Sequence, residues 1–222
     1  MNPIYLLKSS KYIDKVILEK RKEMVNIINR FLEEDNLSEA TDIGTTLDTK
    51  HDHSNYLIKN LKNIKTYKSI SDQKITTNFF SKILTKSITE NFTDLEINEY
   101  GSDLVISNAT LEHVGNRMNQ VKMISNIIKL SKKKFVIITP NRYHPLDFHT
   151  QIPFLHWLPK SIHRKILNLI GLKFYSKEEN LNLMSLNDLK FFLKEFRNIK
   201  YDIFYIRLFG FKSNLIVLGK VL

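Results

Sequence analysis

Two side chains two residues apart, Asp147 and His149, are of the types that general base catalysis needs. An imidazole takes the proton of an attacking hydroxyl, and a carboxylate bound to its other ring nitrogen orients it. Both lie in a stretch, 142–181, that also holds His144, His156 and His163 together with Pro145, Pro153 and Pro159. The chain has no cysteine, which excludes a thiolate nucleophile, a thiolate zinc site and a disulfide framework. The spacing of Asp147 and His149 also suits metal ligation, but the sequence offers no convincing third ligand. His51-Asp52-His53 reads as a turn, so no metal is expected.

Such groups need elements to position them, and the hydrophobic pattern indicates which. Residues 14–34 carry Val16, Ile17, Val25, Ile28, Phe31 and Leu32 on or near one helical stripe. Glu39-Ala-Thr-Asp-Ile-Gly44 reads as a short strand stopping at a glycine turn. A helix is expected from His53 to Lys62, a strand from Ile64 to Ile70, and residues 79–88 are compatible with a third strand. Gly101-Ser-Asp reads as a turn before the buried strand Leu104-Val-Ile106.

Val121, Ile124, Ile127 and Ile128 mark a core-facing helix, which Lys132-Lys133-Lys134 is expected to close. Phe135-Val-Ile-Ile138 is apolar throughout, as in a strand buried on both faces, and Thr139-Pro140 stops it. A helix at 160–170 closed by Gly171 follows, then a helix opened by Ser185 and Asp188 and running through Phe196. Two strands, near 199–208 and 213–221, pair as a hairpin. Alternating strands and helices predict a mostly parallel sheet with one antiparallel strand forced by that hairpin. Ligands of such sheets bind beyond the carboxyl ends of the strands. Those ends are Asp42-Ile-Gly44, Ser71-Asp72-Gln73, Ser107-Asn108 and Thr139-Pro-Asn141.

Asp103-Leu-Val-Ile-Ser-Asn-Ala-Thr-Leu-Glu-His-Val114, then a helix, then Phe135-Val-Ile-Ile-Thr-Pro-Asn141, resembles a segment of the class I S-adenosylmethionine-dependent methyltransferases. There the fourth strand ends in a Leu-Glu-His-Val turn and the fifth in Thr-Pro-Asn, and the order of elements over 35–222 matches as well. The resemblance implies an α/β, Rossmann-like, doubly wound seven-stranded sheet, mostly parallel with a C-terminal antiparallel hairpin, in a single domain over 1–222. It implies S-adenosylmethionine as cofactor and methyl transfer as activity.

In that frame Asp42, Gly44 and Thr45 form the first cofactor motif. Gly44 lets the backbone approach the methionine part, and Asp42 receives its amino end. Asp72 accepts the ribose hydroxyls, Gln73 and Thr89 lie at the adenine, and Asn108 meets the amino-acid end. Thr46 and Asp48 stand where the family usually has further glycines. His113, placed near the methyl donor, joins His149 and Asp147 as a catalytic candidate. Glu112 reads as an early-helix anion.

Residues 142–181 are the expected substrate cover, with Tyr143, His144 and Trp157 as substrate contacts. Residues 1–34 form an N-terminal helical extension, serving as a lid helix or as a contact between subunits of a homodimer. The expected acceptor is a small molecule or a glycan, methylated on oxygen. The alternatives are a degenerate fold acting as a non-catalytic scaffold and a nucleic-acid methyltransferase.

Length and charge bound these readings. The 222 residues suit one domain, and the formal charge is +11, from 34 basic against 23 acidic residues. Lysine supplies 27 of the 34, dispersed along the chain, which suits a solvated surface better than a nucleic-acid interface. No run reaches the ~18–20 apolar residues of a membrane span, and Met1-Asn-Pro-Ile-Tyr-Leu-Leu-Lys is too short an apolar stretch for a signal peptide. A cytoplasmic location is expected.

Overall fold

The computed structural model describes residues 11–33, 35–47 and 54–222. Along the chain run α1 (Lys11–Leu32), β1 (Glu39–Ile43), α2 (Tyr56–Lys59), β2 (Thr66–Ser71), β3 (Lys82–Thr85) and α3 (Asp94–Tyr100). Then follow β4 (Ser102–Asn108), α4 (Arg117–Leu130), β5 (Ser131–Pro140), α5 (Lys160–Leu169), α6 (Leu186–Leu193), β6 (Ile199–Leu208) and β7 (Phe211–Val221).

The strands form one sheet in the order β3-β2-β1-β4-β5-β7-β6. The first five are parallel to one another, and β7 runs antiparallel between β5 and β6. The chain winds outward from β1 to β3 and then returns to place β4 on the other side of β1. The topological switch point, where ligands of such sheets bind, therefore lies between β1 and β4.

Helices cover both faces. Met24, Val25, Ile28 and Leu32 of α1, with Leu57 and Ile58 of α2, pack on Ala40, Leu104, Ile106, Val136 and Ile138. The helix of the N-terminal extension is thus part of the layer that buries the sheet. On the opposite face α4 brings Met123, Ile124, Ile127 and Ile128, and α6 brings Leu189, Phe192 and Leu193. These meet Ile43, Ile70, Val105, Phe135, Ile137 and Val217. Burial on both faces is why β4 and β5 are apolar without alternation.

Several elements differ from the sequence expectation for local reasons. The helix expected over His53–Lys62 is the single turn α2, preceded by Asn55 at φ 52°, and His53 lies outside the described residues. The hydrophobic pattern passed over α3, whose start is set by a capping box in which the Thr93 and Glu96 side chains each accept from the other's backbone N–H. Gly101 caps its end, so Ser102 and Asp103 are already strand.

Lys132, Lys133 and Lys134 do not close α4, because the chain passes from Leu130 straight into β5. Lys134 turns inward, its ammonium against the Phe31 carbonyl and the Asp35 carboxylate and 4.2 Å from the Phe31 ring centre. The capping box at Ser185 and Asp188 opens α6 as read, but the helix stops at Leu193. The β6–β7 hairpin turns on Phe209 and Gly210, both at positive φ, which suits the twist of the strands. Among the described residues no helix is long and apolar enough to cross a membrane.

Candidate active site

The carboxyl ends of β1, β2 and β4 carry the expected cofactor residues side by side, because β1 pairs with both neighbours in register. Asp42 is buried, and Thr45 Oγ1 donates to its Oδ2 at 2.5 Å while Ser69 Oγ donates to Thr45 at 2.8 Å. Burial pushes its carboxyl from 3.8 up to about 6, against the Thr45 hydrogen bond. Thr45 is held further by Ser71, whose hydroxyl donates to its carbonyl at 3.0 Å.

Gly44 sits at φ +82°, which favours glycine. A Cβ there would lie 2.2 Å from Thr110 Oγ1, so the close approach this glycine permits is that of Thr110. Thr110 in turn donates to the Ile43 carbonyl at 3.2 Å. Asp72, after β2, is exposed, and next to it Gln73 Oε1 is buried with no hydrogen-bond partner. Ser107 Oγ at the end of β4 is likewise buried and unpartnered. Thr89 hydrogen-bonds Ser87, and its neighbour Ile88 points into the core with its carbonyl held by Asn126 at 2.7 Å. Asn108 ends β4 half-buried, and Ala109 follows at φ 54°.

Immediately after Thr110 the chain makes a short 3-10 turn, Leu111–His113, and here the second group of candidates assembles. Asp147 Oδ1 accepts from the His149 backbone at 3.0 Å and lies 2.9 Å from its Nδ1, while Thr150 donates to Oδ2 at 2.8 Å. The expected base and its orienting carboxylate are therefore in contact. Burial opposes charge on His149, but hydrogen bonding and charge from Asp147 outweigh it and hold its pKa above the usual histidine value. Burial likewise opposes charge on Asp147, yet its bonds to His149 and Thr150 hold its carboxyl well below the usual range.

His113 stands 5.0 Å from His149, ring centre to ring centre, with its Nδ1 at 2.6 Å from the Asn180 carbonyl. Burial lowers its pKa, against the attraction of Glu112. The Nδ1–H of each ring is thus committed, to a carbonyl in one and to a carboxylate in the other, and each Nε2 is left to face the centre.

Glu112 itself is 0% exposed. Its Oε2 accepts from Thr139 at 3.1 Å, but Oε1 has no hydrogen-bond partner and lies 3.9 Å from Nε2 of both His113 and His149. The sequence offered no third ligand beside Asp147 and His149. The fold gathers a different set, in which Glu112, His113 and His149, without Asp147, present three donor atoms within 4.8 Å of one another.

The cover over 142–181 is tied down by polar groups within it and immediately after it. Asn182 donates to the Gly115 carbonyl at 2.8 Å and, through its backbone, to that of Glu112 at 2.7 Å. Arg142 donates to the carbonyls of His156 and Leu158. His144, expected to touch substrate, is turned inward with its ring nitrogens on the Leu146 and Leu208 carbonyls. Tyr143 and Trp157 are exposed. Asp48 and His51-Asp52-His53 lie outside the described residues.

No protein-family model matches the chain, and no curated protein sequence does. Solved structures do, along most of its length. N-methyltransferase NodS from Bradyrhizobium japonicum WM9 is 10% identical with a TM-score of 0.53, covering 91% of this chain and 97% of its own. Magnesium protoporphyrin IX methyltransferase from Synechocystis PCC 6803, with bound S-adenosylhomocysteine, is 13% identical at 0.55, covering 98% and 91%. A 1,6-didemethyltoxoflavin-N1-methyltransferase from Burkholderia thailandensis is 9% identical at 0.57, covering 92% and 79%. The likeness is one of architecture: the chain shares the seven-stranded, Rossmann-like α/β fold of these methyltransferase structures.

Proposed function

We propose that the chain is an S-adenosylmethionine-dependent methyltransferase acting on a hydroxyl of a small-molecule or saccharide acceptor. The observation that carries this is the meeting of the two groups of residues. Thr110 lies against Gly44 at the switch point, and the His113–Glu112–His149 centre begins two residues later. The residues at the strand ends fit the cofactor. Exposed Asp72 suits its ribose hydroxyls, the orphaned Gln73 Oε1 and Ser107 Oγ await donors or acceptors, and buried Asp42 suits its ammonium.

S-adenosylmethionine, when bound, supplies an electrophilic methyl group on a sulfonium. The chain's own work is to hold the acceptor in line, exclude water and take the proton. Asp42, Asp72 and Gln73 would hold the cofactor so that it offers that methyl to the acceptor oxygen. His149 Nε2 takes the hydroxyl proton, and Asp147 steadies the resulting imidazolium. Exposed Tyr143 and Trp157 beside the cover offer flat faces of the kind on which sugar rings pack.

The test is transfer of labelled methyl from S-adenosylmethionine to a panel of saccharides and small hydroxylated molecules. Label should appear in at least one acceptor, and His149→Ala should lower kcat by about 10²–10⁴-fold, the usual share of a general base. Cofactor binding without transfer to any acceptor would favour the scaffold reading.

A further inference from the structure

We propose that Glu112, His113 and His149 form a binding site for one divalent first-row metal ion. The buried Glu112 Oε1 is a carboxylate oxygen that no donor of the chain satisfies, and 3.9 Å to each imidazole is too long for a hydrogen bond. A buried charge persists where something pairs with it. Both imidazoles already have the support that ligating histidines carry, with Nδ1–H given to Asp147 and to the Asn180 carbonyl and Nε2 left to bind. Nitrogen and oxygen ligands at ~2.0–2.2 Å from an ion stand about 3 Å apart. Small rotations of the two rings close the present gap. Two imidazoles and one carboxylate suit a transition ion better than calcium or magnesium and leave coordination positions for oxygens of an acceptor. With an ion bound, His149 Nε2 is a ligand and the ion would acidify the acceptor hydroxyl in place of that base; this role rests on the methyltransferase reading, the site does not.

The test is titration of the full chain with Co²⁺, followed by visible absorption and calorimetry. One ion should bind per chain with ligand-field bands, and Glu112→Gln should weaken it at least about tenfold while S-adenosylhomocysteine binding, measured separately, is retained. If that variant fails to fold, ring-nitrogen NMR of the wild type with Zn²⁺ decides, since His113 and His149 should shift and His144 should not. No Co²⁺ bands, equal affinity in the folded variant, or unmoved ring signals would overturn the site.

A different observation carries a second inference: the aromatic, basic rim around the cover docks on an anionic bilayer surface. Phe154, Trp157, Phe209 and Phe211 are all 41–72% exposed. They form one neighbourhood, since the Phe211 ring lies 6.5 Å from that of His144, Trp157 donates to the His144 carbonyl at 3.3 Å, and Phe154 packs on Trp157 at 5.0 Å. The segments that carry these rings, 143–173 and 203–222, are basic. Between Tyr143 and Lys173 the sole carboxylate is the buried Asp147, and between Ile203 and Leu222 there is none, whereas Lys165, Lys173, Arg207 and Lys212 lie in these segments. Exposed rings among cations suit the headgroup region of an anionic membrane, where rings enter the interface and cations meet lipid phosphate.

Trp157 is the chain's one tryptophan and reports directly. Vesicles of phosphatidylglycerol and phosphatidylcholine should shift its emission to shorter wavelength and carry the protein into the pellet. Added salt should weaken this, and the surface variants Phe209→Ser and Lys212→Glu should each lower partitioning several-fold. No shift and no pelleting, or equal binding to pure phosphatidylcholine, would overturn the inference.

Discussion

At the scale of single residues, the site is governed by burial. Asp42 holds its proton up to about 6 because the folded chain removes its carboxyl from water. Below the unfolded value of 3.8 both states are protonated and the group contributes nothing. Between 3.8 and about 6 the folded state keeps a proton that the unfolded state has lost, so stability falls as pH rises. Above that window the cost is fully present, about 3 kcal/mol at ~1.4 kcal/mol per unit. Asp42→Asn should therefore show a flatter stability profile than the wild type from pH 4 to 6.5 in denaturant unfolding, and parallel profiles would refute this. Glu112 was legible only as an early-helix anion, because its burial depends on Thr139 and on a cover more than 30 residues away. Asp147 and His149 were legible because their contact is a local turn.

Among elements, legibility followed periodicity. The buried strands β4 and β5, the α4 stripe and the Ser185 capping box are strong local signals, and the structure has them all. Helix α3 has only seven residues, none of them buried, so no apolar stripe announced it. The lysines at 132–134 misled because β5 begins at once where α4 ends, so that all three are strand residues, and only the packing of α1 explains the inward Lys134. Close packing between elements sets the next expectation. A Cβ at Gly219 of β7 would lie 2.1 Å from Phe135 Cζ on the neighbouring β5. Gly219→Ala should cost about 1–3 kcal/mol as an overpacked core, measured by the shift in denaturation midpoint. A change under ~0.5 kcal/mol would mean that the Phe135 ring moves aside freely.

For the whole molecule, the winding order places β1 and β4 together, and that one fact brings the Asp42–Thr45 turn and the turn that carries Glu112 and His113 to the same edge. The fold was legible because element order is a global pattern that survives loss of sequence identity, here to roughly one residue in ten. The acceptor was not, since fold alone does not choose it. The central claim is that this edge binds S-adenosylmethionine, and titration calorimetry with S-adenosylmethionine and S-adenosylhomocysteine tests it most directly. Binding of both ligands, weakened at least about tenfold in a folded Asp72→Ala variant for want of its ribose partner, is the expected result. Failure of the folded wild type to bind either ligand would contradict it.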